Sequence, residues 1–292
     1  MPKSGGKNSI SKTARDYDFR MAKSLGQNFL SDDYAIEQIA DASEAGPEDL
    51  VIEIGPGFGV LTRPLAERAG RVVAVEIDKK LIPILQSELW DLNNLSLIND
   101  DILKVDLDKL ISENRVLPNG ESAKHIRVVG NLPYYITTPI LLGLLEQKVP
   151  AESITVMVQK EVADRIVSPP GSKDYGVLSV SLQYYCDCEK VLDVPRESFV
   201  PAPKVDSAVV HLRIKERPVS TKSSEVFFEC VKRAFSQRRK TLCNSLAGYR
   251  GLDKESVAQL LSGVGIEPGR RAETLSIEEF AKISDAFTDV NN

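Results

Sequence analysis

A chain of 292 residues that is 42% hydrophobic and 27% charged has the composition of a soluble globular protein with one larger and one smaller domain, which excludes fibrous, wholly disordered and membrane-embedded classes. Two histidines and four cysteines without a CxxC pair leave little room for a His-based metal centre, a catalytic triad or a zinc site, so no metal is expected. The net charge of −5 would argue against nucleic acid if it were evenly spread, and it is not.

Residues 1–20 are polar, rich in Gly, Ser and Lys, and read as a mobile basic tail. Lys3, Lys7, Lys12, Arg15, Arg20 and Lys23 are opposed there only by Asp16 and Asp18. No apolar stretch in that segment has the form of a signal peptide, and no run reaches membrane-span length. A cytoplasmic protein without a membrane partner is expected, with Cys186, Cys188, Cys230 and Cys243 reduced.

GQNFL is a loop leading into a helix whose apolar face carries Ile36, Ile39 and Ala40, with Ser31 or Asp32 as N-cap. Asn28 and Leu30 are candidate ligand contacts, with packing of Phe29 and Leu30 against a sheet as the alternative. DLVIEI is a buried strand, and GPGFG after it opens a helix through a tight turn that lets the backbone approach a ligand closely. Its glycines, Gly55, Gly57 and Gly59, follow a GxGxG pattern that lacks the last spacing of the dinucleotide motif GxGxxG. Together with Glu53 they favour a nucleoside-type cofactor. The next strand, RVVAVEID, ends in Glu76, about twenty residues beyond the turn, where an acid commonly holds ribose hydroxyls. A helix over Lys79–Trp90 follows, and a third strand ends in Asp100 and Asp101. One of these acids is placed to accept from an adenine amino group, while Asp101 also suits an N-cap.

The fourth strand, IRVVG, runs into Asn131, Leu132, Pro133, Tyr134 and Tyr135. Pro133 biases Leu132 toward an extended conformation and holds its carbonyl beside the Asn131 side-chain oxygen, so that two acceptors face one donor. Tyr134 offers a flat face on which a base stacks. An ordinary Asn-Leu-Pro turn is the competing reading. A helix over Thr137–Gln147, a strand ESITVMVQ and a helix KEVADRIV complete an alternation that indicates a parallel, doubly wound sheet. SPPGSKDYG is a loop. GVLSVSLQYYCDCEKVLDVP reads as two β-rich runs with no helix between them, so the sheet is expected to end in antiparallel strands. FVPAPKVDS is a Pro-pinned loop before the strand AVVHLRI, and the remainder is helical. Within it Lys232, Arg233, Arg238, Arg239, Lys240 and Arg250 form a basic cluster without an intervening acid.

A dinucleotide dehydrogenase would explain the glycines and Glu76 but not Asn131 to Tyr134. S-adenosylmethionine needs the same ribose and adenine contacts without a pyrophosphate, so the combination favours an amino-methyltransferase. GQNFL, EIGPGFG, NLPYY, PGSKDYG, FVPAPKVDS and AFSQRRKTLCNSL, in this order, resemble the KsgA family of ribosomal-RNA adenine dimethyltransferases from about Phe19 onward.

The resemblance implies a Rossmann-like class I methyltransferase sheet, parallel strands with an antiparallel edge, plus a small C-terminal helical domain. The domains would be residues 1–20 as tail, 21–216 as the methyltransferase domain and 217–292 as a helical RNA-binding domain. It implies N6,N6-dimethylation of two adjacent adenines near the 3′ end of 16S rRNA, with the small ribosomal subunit as partner, a part in its late assembly and a monomeric enzyme. Cofactor contacts carry over to Asn28, Leu30, Gly55, Glu76, Asp101 and Asn131, with Gly57 in the same turn. The catalytic loop carries over to Asn131, Leu132, Pro133 and Tyr134, and a second base-stacking aromatic to Phe199. Arg233, Arg238, Arg239 and Lys240 are the expected RNA contacts. An Erm-type enzyme acting on large-subunit RNA, an assembly factor acting mainly by binding, and a DNA adenine methyltransferase, which usually shows D/N-PP-Y, are the alternatives.

Overall fold

The computed structural model describes residues 7–21, 25–147, 149–216, 219–237 and 239–290. Contacts divide the chain into two units, one spanning Met1–Ala163 and Cys188–Ile214, the other Asp164–Asp187 and Lys215–Asn292. None of the described helices is long and apolar enough to cross a membrane.

The larger unit opens with helix α1 (Lys7–Asp16) and a two-residue strand β1 (Phe29–Leu30), followed by α2 (Asp33–Ala42) and β2 (Asp49–Ile54). Next come α3 (Thr62–Arg68), β3 (Arg71–Glu76), α4 (Leu81–Glu88), β4 (Leu95–Asn99) and α5 (Leu107–Asn114). Then follow β5 (His125–Asn131), α6 (Thr137–Glu146), β6 (Ser153–Gln159) and α7 (Lys160–Val167), the last crossing into the smaller unit. Helix α8 (Val177–Tyr185) precedes the strands β7 (Cys186–Val194), β8 (Phe199–Val200) and β9 (Ser207–Ile214).

Seven strands form one sheet in the order β4-β3-β2-β5-β6-β9-β7. From β4 to β6 every pair is parallel, and β9 runs antiparallel to β6. Covered on both faces, the central strands are mostly apolar: every residue of β2 is buried, Asp49 and Glu53 included, and Val72 to Glu76 of β3 likewise. Asp32 caps α2, its carboxylate accepting from the amides of Tyr34 and Ala35.

The segment expected to be a mobile tail contains α1, which buries Ile10 and Ala14 against Phe58, Leu81, Leu85 and Leu89. A helix with one apolar face gains that burial in spite of its polar composition. The expected loop at Phe199 instead pairs β8 antiparallel with β1, Leu30 opposite Phe199.

The smaller unit differs from the expected 217–292 domain, because Asp164–Asp187 folds with it. Tyr175, Val180 and Tyr184 join Phe227, Leu242, Leu261 and Phe280 in its core. Its helices are α9 (Ser224–Phe235), α10 (Leu242–Leu246), α11 (Lys254–Gly263) and α12 (Ile277–Asp289). The expected β-run VLSVSLQYY is helix α8, buried nearly all round, so its apolar residues show no helical stripe.

Gly130 lies in β5 opposite Ile54 of β2, one residue before the loop of interest, and a Cβ there would lie 2.7 Å from the Ile54 carbonyl oxygen. Backbone cannot yield as a side chain does. Gly130→Ala is expected to cost about 2 kcal/mol or more and to lower Tm by roughly 4–8 °C. A melting curve superimposable on that of the unsubstituted protein would show that the two strands separate freely.

Candidate active site

The strand order reverses between β2 and β5, where Ile54 lies opposite Gly130. In an open α/β sheet such a reversal opens a crevice beyond the carboxyl ends of the strands. Here it is a cleft lined by both apolar and polar residues. Its walls come from Gly26 to Phe29, the glycine turn, the ends of β3 and β4, and the loop Asn131–Ile136.

The glycine turn has left-handed backbone at Gly55, Gly57 and Gly59, with φ of 70°, 59° and 78°. At Gly57 the restriction is also spatial, because a Cβ would sit 2.9 Å from the Phe29 ring. The Gly57 amide donates to Glu76 Oε2 at 3.2 Å, and the Asp78 amide donates to Oε1 at 2.9 Å. Glu76 is thus held at the cleft wall with lone pairs remaining on both oxygens. Burial pushes its carboxyl above the usual range, while these amides work the other way.

Asp100 and Asp101 line the cleft at the end of β4. Asp101 Oδ1 accepts from the Leu103 amide at 3.1 Å in a local turn, not at the head of the helix its N-cap reading expected, since Asp106 caps α5, and Oδ2 pairs with Lys104 at 3.3 Å. Among the described residues no Arg or Lys lines this cleft. A wall of carboxylates favours hydroxyls, amino groups and cations over a pyrophosphate.

Asn131 ends β5, and its amide nitrogen donates to the Asn28 carbonyl at 3.1 Å. The opposite orientation would set oxygen against oxygen, so the Asn131 side-chain oxygen is left to accept from a ligand. The Leu132 amide donates to the Met157 carbonyl at 3.1 Å, and the Pro133 carbonyl accepts from the Ile136 amide and the Thr137 hydroxyl. Tyr134 lines the cleft with its hydroxyl 2.6 Å from Ser207 Oγ. Burial raises its pKa.

Of the residues singled out by sequence, Asn28, Gly55, Gly57, Glu76, Asp101, Asn131, Leu132, Pro133 and Tyr134 meet at this cleft. Leu30 and Phe199 do not line it: their pairing across β1 and β8 buries both in the core behind. Gln27, Ile77, Ile102 and Tyr135 also line it and were not singled out. Ile77 and Ile102 each follow an acid at a strand end, and that position is the signal that could have found them. Gln27 donates to Asp78 Oδ2 at 2.8 Å. Arg233, Arg239 and Lys240 belong to the smaller unit, and Arg238 lies outside the described residues.

Glu53 is buried beneath the turn, its Oε2 without a hydrogen-bond partner among the described residues. Burial pushes its carboxyl up to about 8; Glu76 adds to the shift and the neighbouring Thr62 hydroxyl opposes it.

The model of the family described as ribosomal RNA adenine dimethylase matches residues 18–289. Ribosomal RNA small subunit methyltransferase A of Clostridioides difficile is 47% identical over 279 residues, 95% of this chain and 94% of that protein. The protein of that name from Bacillus thuringiensis is 50% identical over 275 residues, 93% of this chain and 92% of its own. Among solved structures, a dimethyladenosine transferase from Plasmodium falciparum superposes with a TM-score of 0.76 at 25% identity, covering 90% of this chain and 98% of that one. The 23S rRNA methyltransferase ErmE does so with a TM-score of 0.68 at 29% identity, covering 89% of this chain and 100% of that one.

Glu53 binds its proton near pH 8 in the folded state, against an ordinary value of 4.5. Its stabilising contribution is therefore complete below about 4.5 and is lost as the pH rises to about 8. Glu53→Gln keeps the shape and removes the titration, flattening the fall in stability across that window by up to about 1.4 kcal/mol per pH unit. Denaturant melts of both proteins between pH 5 and 8.5 test this, and parallel curves would refute it.

Proposed function

The chain belongs to the ribosomal RNA adenine dimethylase family, and from that premise we propose that it dimethylates N6 of two adjacent adenines near the 3′ end of 16S rRNA in the small ribosomal subunit. It is an S-adenosylmethionine-dependent rRNA adenine dimethyltransferase, with RNA as its substrate. The small subunit is favoured over the large one by relatives at 47% and 50% identity that carry the small-subunit name, against 29% for ErmE. Binding to the maturing subunit in the cytoplasm, as a late step of its assembly, is part of the same proposal.

The observation that carries the chemistry is the hydrogen bond from Asn131 to the Asn28 carbonyl. The adenine N6 lone pair is delocalised into its ring and is a poor nucleophile. In the first transfer Asn131 Oδ1 and the Leu132 carbonyl accept the two amino hydrogens, in the second the one that remains, and draw the nitrogen toward pyramidal geometry, an effect concentrated in the transition state; after each transfer the nitrogen releases a proton to water. Tyr134 presents a ring to the face of a base turned out of its stack. Glu76 and Asp101 would take the hydroxyl and amino groups of the cofactor and the Gly55 to Gly57 backbone would lie along it; Ile77 and Ile102 border the same cleft. S-adenosylmethionine supplies an electrophilic methyl on a sulfonium, and a cleft with acids and no Arg or Lys among its described lining residues suits that charge. Alignment of nitrogen and methyl supplies much of the remaining acceleration, and no strongly basic group is needed.

RNA affinity is assigned to the smaller unit. Lys232, Arg239 and Lys240 are exposed there, and among the described residues none of them pairs with a carboxylate. In the larger unit Arg63, Arg68, Arg127 and Arg213 are all ion-paired. Unpaired cations are free to replace the counterions of phosphates. Arg233 serves a different end, donating to the Ala247 carbonyl at 3.2 Å with its guanidinium 5.5 Å from the centre of the Tyr249 ring.

Asn131→Ala is expected to lower the single-turnover rate on small subunits by about a hundredfold, the loss of roughly 3 kcal/mol typical of one preorganised polar partner, while subunit affinity holds. Dimethylation by the variant at a near-normal rate, read by mass analysis of the RNA fragment, would exclude this mechanism. Replacing Lys232, Arg239 and Lys240 together by Gln should weaken subunit binding and reduce the steepness of its salt dependence by about 0.7 to 0.9 per lost phosphate contact. S-adenosylmethionine affinity should stay constant. Superimposable salt plots would move the RNA to another surface.

A further inference from the structure

The loop Asn131–Tyr134 is tied down at three points. Asn131 bonds to Asn28, the Leu132 amide to Met157 on β6, and the Tyr134 hydroxyl to Ser207 Oγ at 2.6 Å. The third tie differs from the others in its origin. Ser207 is the first residue of β9, fully buried, and lies opposite Gln159 at the end of β6 in the antiparallel register. Its neighbour Asp206 is held on both sides, its carbonyl accepting from the Lys160 amide at 3.0 Å and its carboxylate from the Arg196 amide at 3.0 Å. Ser207 is therefore an immobile anchor.

A tyrosine ring turns about two side-chain bonds, and a hydrogen bond at its far end removes most of that freedom. Without the anchor, the half-buried Tyr134 ring at the cleft wall would sample several orientations. We propose that Ser207 is a positioning residue for methyl transfer, holding the Tyr134 ring in the one plane that stacks on the target adenine while touching neither adenine nor cofactor. This rests on the proposed role of Tyr134 as the base-stacking face. It also gives the antiparallel edge of the sheet a part in the reaction, since the register of β9 on β6 places the anchor.

The experiment compares Ser207→Ala, Ser207→Thr, Tyr134→Phe, the Ser207→Ala/Tyr134→Phe double variant and Tyr134→Ala on unmethylated small subunits. Single-turnover rate, half-saturating subunit concentration, S-adenosylmethionine affinity and Tm are measured for each. Ser207→Ala and Tyr134→Phe should each lower the rate about tenfold, as expected for a reacting group misplaced by less than an ångström, with cofactor affinity unchanged. The double variant should lose no more than either single one, because both remove the same bond. Ser207→Thr, which keeps the hydroxyl, should recover most of the rate. Losses that multiply in the double variant, or a normal rate in Ser207→Ala and Tyr134→Phe, would overturn the proposal. If Tyr134→Ala is impaired while those two are normal, the stacking role stands and the anchor falls. If Tyr134→Ala is itself normal, the stacking role falls and the anchor with it. A rate loss in Ser207→Ala that tracks a lowered Tm, with Tyr134→Phe unaffected in both, would assign Ser207 to stability alone.

Discussion

The hydrogen bond from the Asn131 side chain to the Asn28 carbonyl decides what this cleft can do. An amide is ambiguous until one of its ends is committed, and commitment of the nitrogen leaves the oxygen as an acceptor. That single bond joins two parts of the chain far apart in sequence. The Asn28 carbonyl is in place because β1 pairs with β8 and Phe29 packs against the glycine turn. Asn131 is in place because β5 lies between β2 and β6 with Gly130 permitting close approach. Both supports are structural, and the acceptor they create belongs to a residue that lines the cleft.

Two buried carboxyls near the turn show how environment separates like groups. Glu76 receives amide donors on both oxygens, which favours the ionised form against the pull of burial. Glu53 lacks a partner on Oε2 and is held up to about 8, so it is predominantly neutral at neutral pH. One is held at the wall by amide donors while the other adds little to the repulsion behind it. An anionic pocket can thus be built from neighbouring acids without a matching set of cations.

The central strands were legible because burial on both faces leaves mostly apolar residues, as in DLVIEI, where Asp49 and Glu53 are the exceptions. Glu76, Asp101 and Asn131 were legible because Glu76 and Asn131 end strands and Asp101 lies two residues beyond β4, and the carboxyl ends of the strands of an open sheet border its crevice. Helix α8 was not, since burial around its whole circumference erases the period that marks a helix. Nor were β1 and β8, two residues each, whose pairing is a contact between distant segments with no local trace. The position of Phe199 hinges on that pairing, so the ring is in the core rather than on the cleft wall. Helix α1 was hidden by polar composition, although Ile10 and Ala14 are spaced to share one face.

The grouping of Asp164–Asp187 with the C-terminal helices means that the chain leaves the larger unit, returns to it and leaves again. During synthesis the five parallel strands emerge well before β9, so β6 waits as an open edge until the antiparallel strand arrives. The helical unit, for its part, remains incomplete until α9 and α12 can close around Tyr175 and Tyr184. No single cut in the polypeptide releases either unit whole. Recombination that exchanged the helical unit between relatives would have to join the chains at three crossings at once, which ties the inheritance of the helical unit to that of the sheet-bearing unit.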